Sequence, residues 1–328
     1  SRMARTARKL TGSNYLVMAG GVALNCVANG ALLRQKIFDD LWIQPSAGDA
    51  GGALGAAFAA WHVGMEQPRK SVSEQDAMAG AFLGPEFGSD DIKRTAKTYQ
   101  ASFVHYEDFD ELCAVVAERI LRGLVVGWFQ GRMEYGPRAL GNRSILANPC
   151  LPDTQKKLNL KIKYREEFRP FAPAVLEEDV AEYFDLDRPS PYMMLVAGLK
   201  EHRRRPQPEN ERQMTLYERL YHMRSDLPAV THIDYSARIQ SVSKRTNERF
   251  WKLIKAYKQK SGWGLLVNTS FNVRGEPMVC TPEDAYRCFM QTDMDCLVMG
   301  NDLFSKDDQP PWSEKNPWLA AGTPYAKD

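Results

Sequence analysis

Arg132, Arg138 and Arg143 share a short stretch with Gly131, Gly136, Gly141 and Pro137. The apolar run Leu124 to Phe129 leads into it, and Ser144-Ile145-Leu146-Ala147 resumes an apolar pattern after it. A strand that opens into a glycine loop with three fixed cations suits an anion. Glycine lets backbone N–H groups come close to a ligand, and the arginine fork matches the oxygens of a phosphate. A surface turn with solvated arginines is the plain alternative.

Three further clusters extend the theme. Lys161, Lys163, Arg165 and Arg169 precede Pro170-Phe171-Ala172-Pro173. Thr231, Ser236 and Arg238 lie in a strand-like stretch, and Asn268-Thr269-Ser270 with Asn272 follows the apolar Leu265-Leu266-Val267. Together they offer cations and directional donors, the chemistry of a polyphosphate site that demands no protein nucleophile. No Gly-x-x-x-x-Gly-Lys-Ser/Thr loop is present, so the cradle would be of another kind. Read singly, the basic run with Glu166 and Glu167 is a solvated helix face and Asn-Thr-Ser is a turn. Arg203 to Arg205 read as solvent-exposed. Asp49 is a lone carboxylate in Gly48-Asp49-Ala50-Gly51-Gly52, either a helix cap or a metal ligand, with only His62 nearby as a partner.

The elements that must position these groups fall into two units. Residues 1–65 alternate helix and strand: a helix near 3–11, a strand at Tyr15–Ala19, a helix over 24–36, a strand at Leu41–Ile43 and a small-residue helix over 53–62. Glycines follow the strand ends, where ligands bind in open α/β sheets. This unit is too small to cover both faces of a sheet and reads as the tail of a larger domain. Residues 66–90, rich in Pro and Gly, read as a linker. The second unit, 91–305, carries helices over 108–122, 153–161 and 246–260, an insertion at 198–228 and a helix started by Thr281-Pro282-Glu283-Asp284. Residues 306–328 read as a loosely held tail.

Composition excludes several classes. The chain is 44% hydrophobic and 26% charged, as a soluble globular protein is. A net charge of +2 does not by itself indicate a nucleic-acid binder. No apolar stretch approaches the roughly 20 residues of a membrane span. The six cysteines show no Cys-x-x-Cys spacing and read as thiols in a reducing compartment, which points to the cytoplasm. The five histidines include no i, i+4 pair, so no helical two-histidine clamp exists.

The strings Gly20-Gly21-Val22-Ala23-Leu24-Asn25, Pro45 to Gly52, Gly131 to Ser144, Arg165 to Pro173 and Asn268 to Asn272 resemble the NodU/CmcH-type O-carbamoyltransferases over about residues 16–300. The resemblance implies the tail of an actin-like, sugar-kinase-type ATPase domain followed by a YrdC-like mixed α/β domain. In such enzymes the YrdC-like domain joins carbamoyl phosphate and ATP, releases pyrophosphate and makes carbamoyl adenylate. The other domain holds that adenylate beside a metal and passes the carbamoyl group to an acceptor hydroxyl.

Carried onto this sequence, the resemblance implies that Asp49 binds a metal and that Gly20, Gly21 and Asn25 contact the adenylate. Lys163, Arg169 and the following Pro-Phe-Ala resemble the lysine/arginine signature of YrdC-like domains. Arg138, Arg143, Lys163 and Arg169 are expected to be catalytic. ATP and carbamoyl phosphate are expected on Arg132, Ser144, Lys161, Arg165, Thr231, Arg238, Asn268, Thr269, Ser270 and Asn272, with Mg²⁺ bridging phosphate oxygens. The family's metal-binding histidines lie in an N-terminal half, and no His-x-x-x-His occurs here. The sequence therefore reads as the C-terminal portion of such an enzyme. Fe²⁺ or another divalent metal is expected at Asp49 only when that half is present. The acceptor, a sugar or a natural-product scaffold, and the oligomeric state stay open. Two rival classes remain at this point, an RNA-binding or tRNA-modification module of YrdC type and a non-catalytic interaction fragment.

Overall fold

Helix and strand alternate through residues 1–65 in the order expected. Helix α1 (Arg2–Thr11) stops at Gly12, whose φ of +66° favours a residue without Cβ. Strands β1 (Tyr15–Met18) and β2 (Asp40–Ile43) pair in parallel, which requires the crossover helix α2 (Cys26–Arg34) between them. Asn25 caps α2, its Oδ1 accepting from Ala28 N at 3.0 Å. Helix α3 (Asp49–Ala59) follows. The computed structural model describes residues 1–70, 76–210 and 213–312. Part of the linker, two residues of the 198–228 insertion and most of the tail thus lie outside the described residues.

The second unit runs α4 (Ser89–Tyr99), β3 (Val104–His105), α5 (Phe109–Leu121), β4 (Val126–Phe129), β5 (Arg143–Ala147), α6 (Thr154–Lys161), β6 (Ala172–Leu176), α7 (Val180–Tyr183) and β7 (Leu195–Gly198). It continues α8 (Leu216–Tyr221), β8 (Ser236–Val242), α9 (Glu248–Ser261), β9 (Leu265–Ser270), α10 (Pro282–Gln291), β10 (Cys296–Met299) and β11 (Asp302–Ser305). Among the described residues, nine strands form one sheet in the order β3-β11-β10-β4-β5-β9-β6-β8-β7. β4/β10 and β6/β8 are parallel and the other pairs antiparallel. The chain is of the mixed α/β class.

Period-two alternation decides what covers each face. Val126, Trp128, Leu146, Leu266, Cys296 and Val298 meet α5 and α9, which bring Leu112, Val116, Ile120, Phe250, Leu253 and Ile254. Phe129, Ile145, Val267, Leu297 and Met299 face the other layer, where α10 adds Tyr286 and Phe289. The helix ends are set locally. Asp108 caps α5, Asn247 caps α9 and Gly262 at φ +81° ends α9. Thr281 caps α10 with Asp284 bonding back, as its sequence predicts.

The two units are joined by close backbone contact. α2 lies on β7: Asn29 Nδ2 donates to Met194 O at 3.1 Å, and Arg34 Nη1 to Val196 O at 3.1 Å. A Cβ on Gly30 would sit 2.1 Å from Val196 O, so only glycine permits this approach. Ser46 Oγ donates to Tyr135 O at 2.5 Å, tying the strand end of the first unit to the arginine loop of the second. Residues 81–85 pair with the same loop, through Tyr135 N to Ala81 O at 2.6 Å and Met133 N to Pro85 O at 2.9 Å. Among the described residues, no helix is long and apolar enough to cross a membrane.

Candidate anion-binding site

The glycine–arginine loop is assembled from within. Glu134 is buried, and its Oε1 accepts from Leu140 N at 2.7 Å, Asn142 N at 2.8 Å and Arg143 N at 3.3 Å. Burial pushes its carboxyl above the ordinary value, against the pull of these N–H groups and of Arg143. Arg143 is fully buried and stacks 3.6 Å from the Phe129 ring centroid. Its Nη1 donates to Gln130 O at 2.7 Å, Gly131 O at 3.2 Å and Asn142 O at 3.0 Å. Gly141, at φ +110°, has no room for Cβ, which would meet Phe250 Cδ1 at 2.2 Å. Asn268 Nδ2 fastens the loop to β9 through Ala139 O at 3.1 Å, and Gln240 Nε2 donates to Leu140 O at 2.7 Å.

Beside the loop lies a cavity of about 360 Å³. Among the described residues, four guanidinium-bearing side chains line it: Arg138 from the loop, Arg165 and Arg169 from the segment after α6, and Arg238 from β8. Asn268, Thr269 and Ser270 line it from β9, so four separate sequence clusters meet in one place. Arg138 donates to Leu24 O at 3.3 Å, and its Nε is buried without a partner. Arg165 Nε donates to Asn159 Oδ1 at 2.7 Å, and the guanidinium lies 5.0 Å from the Phe171 ring centroid. Arg169 Nε pairs with Glu166 at 2.9 Å.

Among the described residues, no carboxylate lies within ion-pair distance of Arg138, Arg165 or Arg238. Burial and then the neighbouring cations Arg169 and Arg238 lower Arg165 to about 10. Burial and then Arg138 lower Arg238 to about 10. Both remain charged at neutral pH. Burial is the larger cause of both shifts and cation crowding the smaller, and a bound anion would oppose each.

The other predicted residues fall elsewhere. Lys163 is buried below the cavity, with Asn272 Oδ1 at 2.7 Å, Asn272 O at 2.9 Å, Ser270 Oγ at 3.1 Å and Ser270 O closer still. Burial, followed by the charge of Arg165, pushes its amine down to about 7. It orders Ser270 and Asn272, whose side chains also bond at 2.6 Å. Ser144 Oγ is buried and accepts from Gly141 N at 3.0 Å. Arg132 lies at the surface, with Glu86 at 3.7 Å. Lys161 is exposed. Thr231 donates to Leu227 O at 2.8 Å and lines a separate, smaller cleft. Gly20, Gly21, Asn25 and Asp49 are exposed on the first unit, and Asp49 is the first residue of α3 after its cap Gly48. Among the described residues, no group of three His, Cys, Asp or Glu side chains could hold a metal.

Among the described residues, two lining side chains that can titrate, Cys26 and His232, escaped the sequence reading. Cys26, at the start of α2, closes the cavity from the first unit and shares its lining with Arg238. His232 stands between the predicted Thr231 and Ser236, and also lines the cavity. Its proximity to a cluster of hydroxyl and guanidinium residues was the available signal.

Residues 117–306 match the family model described as carbamoyltransferase C-terminus, and residues 2–58 the one described as carbamoyltransferase N-terminus. The chain belongs to the carbamoyltransferase family, of the NodU/CmcH type that the motifs resemble. It is 52% identical over 319 residues to an uncharacterized protein of Synechocystis, covering 97% of this chain and 52% of that one. The nodulation protein NolNO of Sinorhizobium fredii is 40% identical over 311 residues, covering 93% and 42%. The 3'-hydroxymethylcephem-O-carbamoyltransferase of Amycolatopsis lactamdurans is 33% identical over 291 residues, covering 89% and 49%. The chain spans about half the length of the curated relatives it matches.

Proposed function

We propose that the arginine-lined cavity binds ATP and carbamoyl phosphate and forms carbamoyl adenylate, for transfer of the carbamoyl group to an acceptor hydroxyl. One observation carries this reading: Arg138, Arg165, Arg169 and Arg238 converge on one cavity with Asn268, Thr269 and Ser270, and three of the four arginines have no carboxylate partner among the described residues. Crowded, half-desolvated guanidinium groups with hydroxyl and amide donors suit two polyphosphorylated or phosphorylated substrates. Family membership supports carbamoyl as the group moved.

In this reading ATP, carbamoyl phosphate and water give carbamoyl adenylate, pyrophosphate and inorganic phosphate. Water frees carbamate from carbamoyl phosphate, and a carbamate oxygen then attacks the α-phosphorus of ATP as pyrophosphate leaves. Charge develops on phosphate oxygens in both steps, and the arginines lining the cavity would stabilise it there, so catalysis in this reading is positioning and charge stabilisation. Arg143 and Lys163 act as positioning residues, holding the loop and the Ser270–Asn272 turn. Mg²⁺ would arrive on the phosphate oxygens and add positive charge there. Asp49 on its own does not complete a metal centre, and no step here depends on one. The acceptor is proposed to be a hydroxyl of a sugar or of a natural-product scaffold, and the setting cytoplasmic.

The test is carbamoyl-phosphate-dependent exchange of labelled pyrophosphate into ATP by this chain. Exchange that needs carbamoyl phosphate supports the reading; ATP binding without exchange sinks it.

A further inference from the structure

A relay of three side chains ends in the cavity. Asp234 Oδ1 accepts from Ser236 Oγ at 2.6 Å and from Ser236 N at 3.1 Å. Ser236 Oγ lies 3.0 Å from His232 Nδ1. Burial opposes ionisation of Asp234, but the bonds from Ser236 outweigh it and hold the carboxyl below its ordinary value. Asp234 is therefore a carboxylate that can only accept, and it takes the single hydroxyl proton of Ser236. Ser236 Oγ must then accept from His232. That places the imidazole proton on Nδ1 and a lone pair on Nε2.

His232 lines the cavity together with Arg138, Arg165, Arg169, Arg238 and Cys26. Among the described residues, no hydrogen bond engages its Nε2. Burial holds the imidazole below its ordinary 6.5; Asp234 opposes this and Arg238 adds to it. The ring is neutral at pH 7 and offers a basic nitrogen. The cavity's other nitrogen-bearing side chains include four arginines, which stay protonated. Lys163 is enclosed by oxygens.

The proposed chemistry consumes one water per carbamoyl phosphate, and water attacks well only as its proton is removed. Resting on that function, we propose that His232 Nε2 is the general base for this water, with Ser236 and Asp234 fixing the ring. The water oxygen bonds to the carbonyl carbon of carbamoyl phosphate, and the carbon–oxygen bond to phosphate breaks with its electron pair going to phosphate. The proton taken by Nε2 passes to the departing phosphate. The second water proton is released as carbamic acid ionises to the carbamate that attacks ATP.

The deciding experiment compares the parent chain with His232→Gln in two assays: phosphate release from carbamoyl phosphate, and pyrophosphate exchange supported by either carbamoyl phosphate or ammonium carbamate. A general base contributes roughly 100-fold or more, so His232→Gln should lose that much phosphate release and carbamoyl-phosphate-supported exchange. Exchange supported by carbamate should survive, since the step needing the base is bypassed. The parent's phosphate release should fall as pH drops below the ordinary histidine value, and the residual rate of the variant should lack that limb. Undiminished phosphate release in His232→Gln overturns the assignment. Loss of carbamate-supported exchange as well assigns His232 to binding or adenylate formation and also overturns it. A parent chain that runs exchange with neither donor fails at the proposed function itself. Should His232→Gln not fold, Ser236→Ala makes the same comparison: carbamoyl-phosphate-supported exchange should fall several-fold with carbamate-supported exchange unchanged, and equal loss of both overturns the relay.

Discussion

Glu134 and Arg143 divide the backbone of one loop between them. Glu134 Oε1 takes the N–H groups of residues 140, 142 and 143, and Arg143 Nη1 takes the carbonyls of residues 130, 131 and 142. Neither side chain lines the cavity. Arg138 reaches it because its two buried neighbours hold the loop open. Glu134→Gln keeps an acceptor and should be tolerated, whereas Glu134→Ala strands buried N–H groups and should cost about 2–3 kcal/mol or more. Arg143→Met leaves buried carbonyls without donors and should cost about 3 kcal/mol. Urea denaturation of the variants checks the order.

Arg138→Ala should act on ligand rather than on fold. The guanidinium makes one long bond to protein and has a buried Nε with no partner. A charged contact to phosphate is worth about 1.5–3 kcal/mol, so ATP affinity should fall roughly 10- to 100-fold. Titration calorimetry gives the number, and unchanged affinity would remove Arg138 from the phosphate site.

The approach of α2 to β7 can be tested at one atom. Gly30→Ala would drive a Cβ into Val196 O, so α2 must move off the strand. Cys26, at the start of that helix, should then react faster with a thiol reagent than in the parent. Equal labelling rates would show that the contact is looser than its geometry.

Lys163 predicts a pH effect with a definite sign. Its folded value of about 7 lies below the ordinary 10.5, so between the two the unfolded chain holds more protons. Folding stability from this group therefore rises with pH across that window, by up to about 1.4 kcal/mol per pH unit. Below about 7 both states are protonated and the slope vanishes. Unfolding free energies measured between pH 7.5 and 9.5 should climb more steeply in the parent than in Lys163→Met.

Much of the fold was legible because local rules suffice for it. Helices α5 and α9 announced themselves by apolar spacing, and α10 by Thr281, Pro282 and Asp284. The polar clusters were legible as types: cations and hydroxyls after strands. Their direction was not. Nothing local distinguishes Arg138, which lines the cavity, from Arg143, which turns inward onto carbonyls, because both follow a glycine-rich turn. Sheet order places β9 between β5 and β6, an arrangement set by contacts more than a hundred residues apart along part of its length. Cys26 escaped for the same reason, since its neighbour Arg238 lies far along the chain.

The seating of α2 on β7 bears on how such proteins can be recombined. The wall that Cys26 completes is built by one unit, and the arginines it faces by the other. A chimera that exchanges the first unit between two homologues must therefore carry a matching pair of surfaces, Cys26–Arg34 against Leu195–Gly198, or it will inherit a leaking cavity from two sound parents.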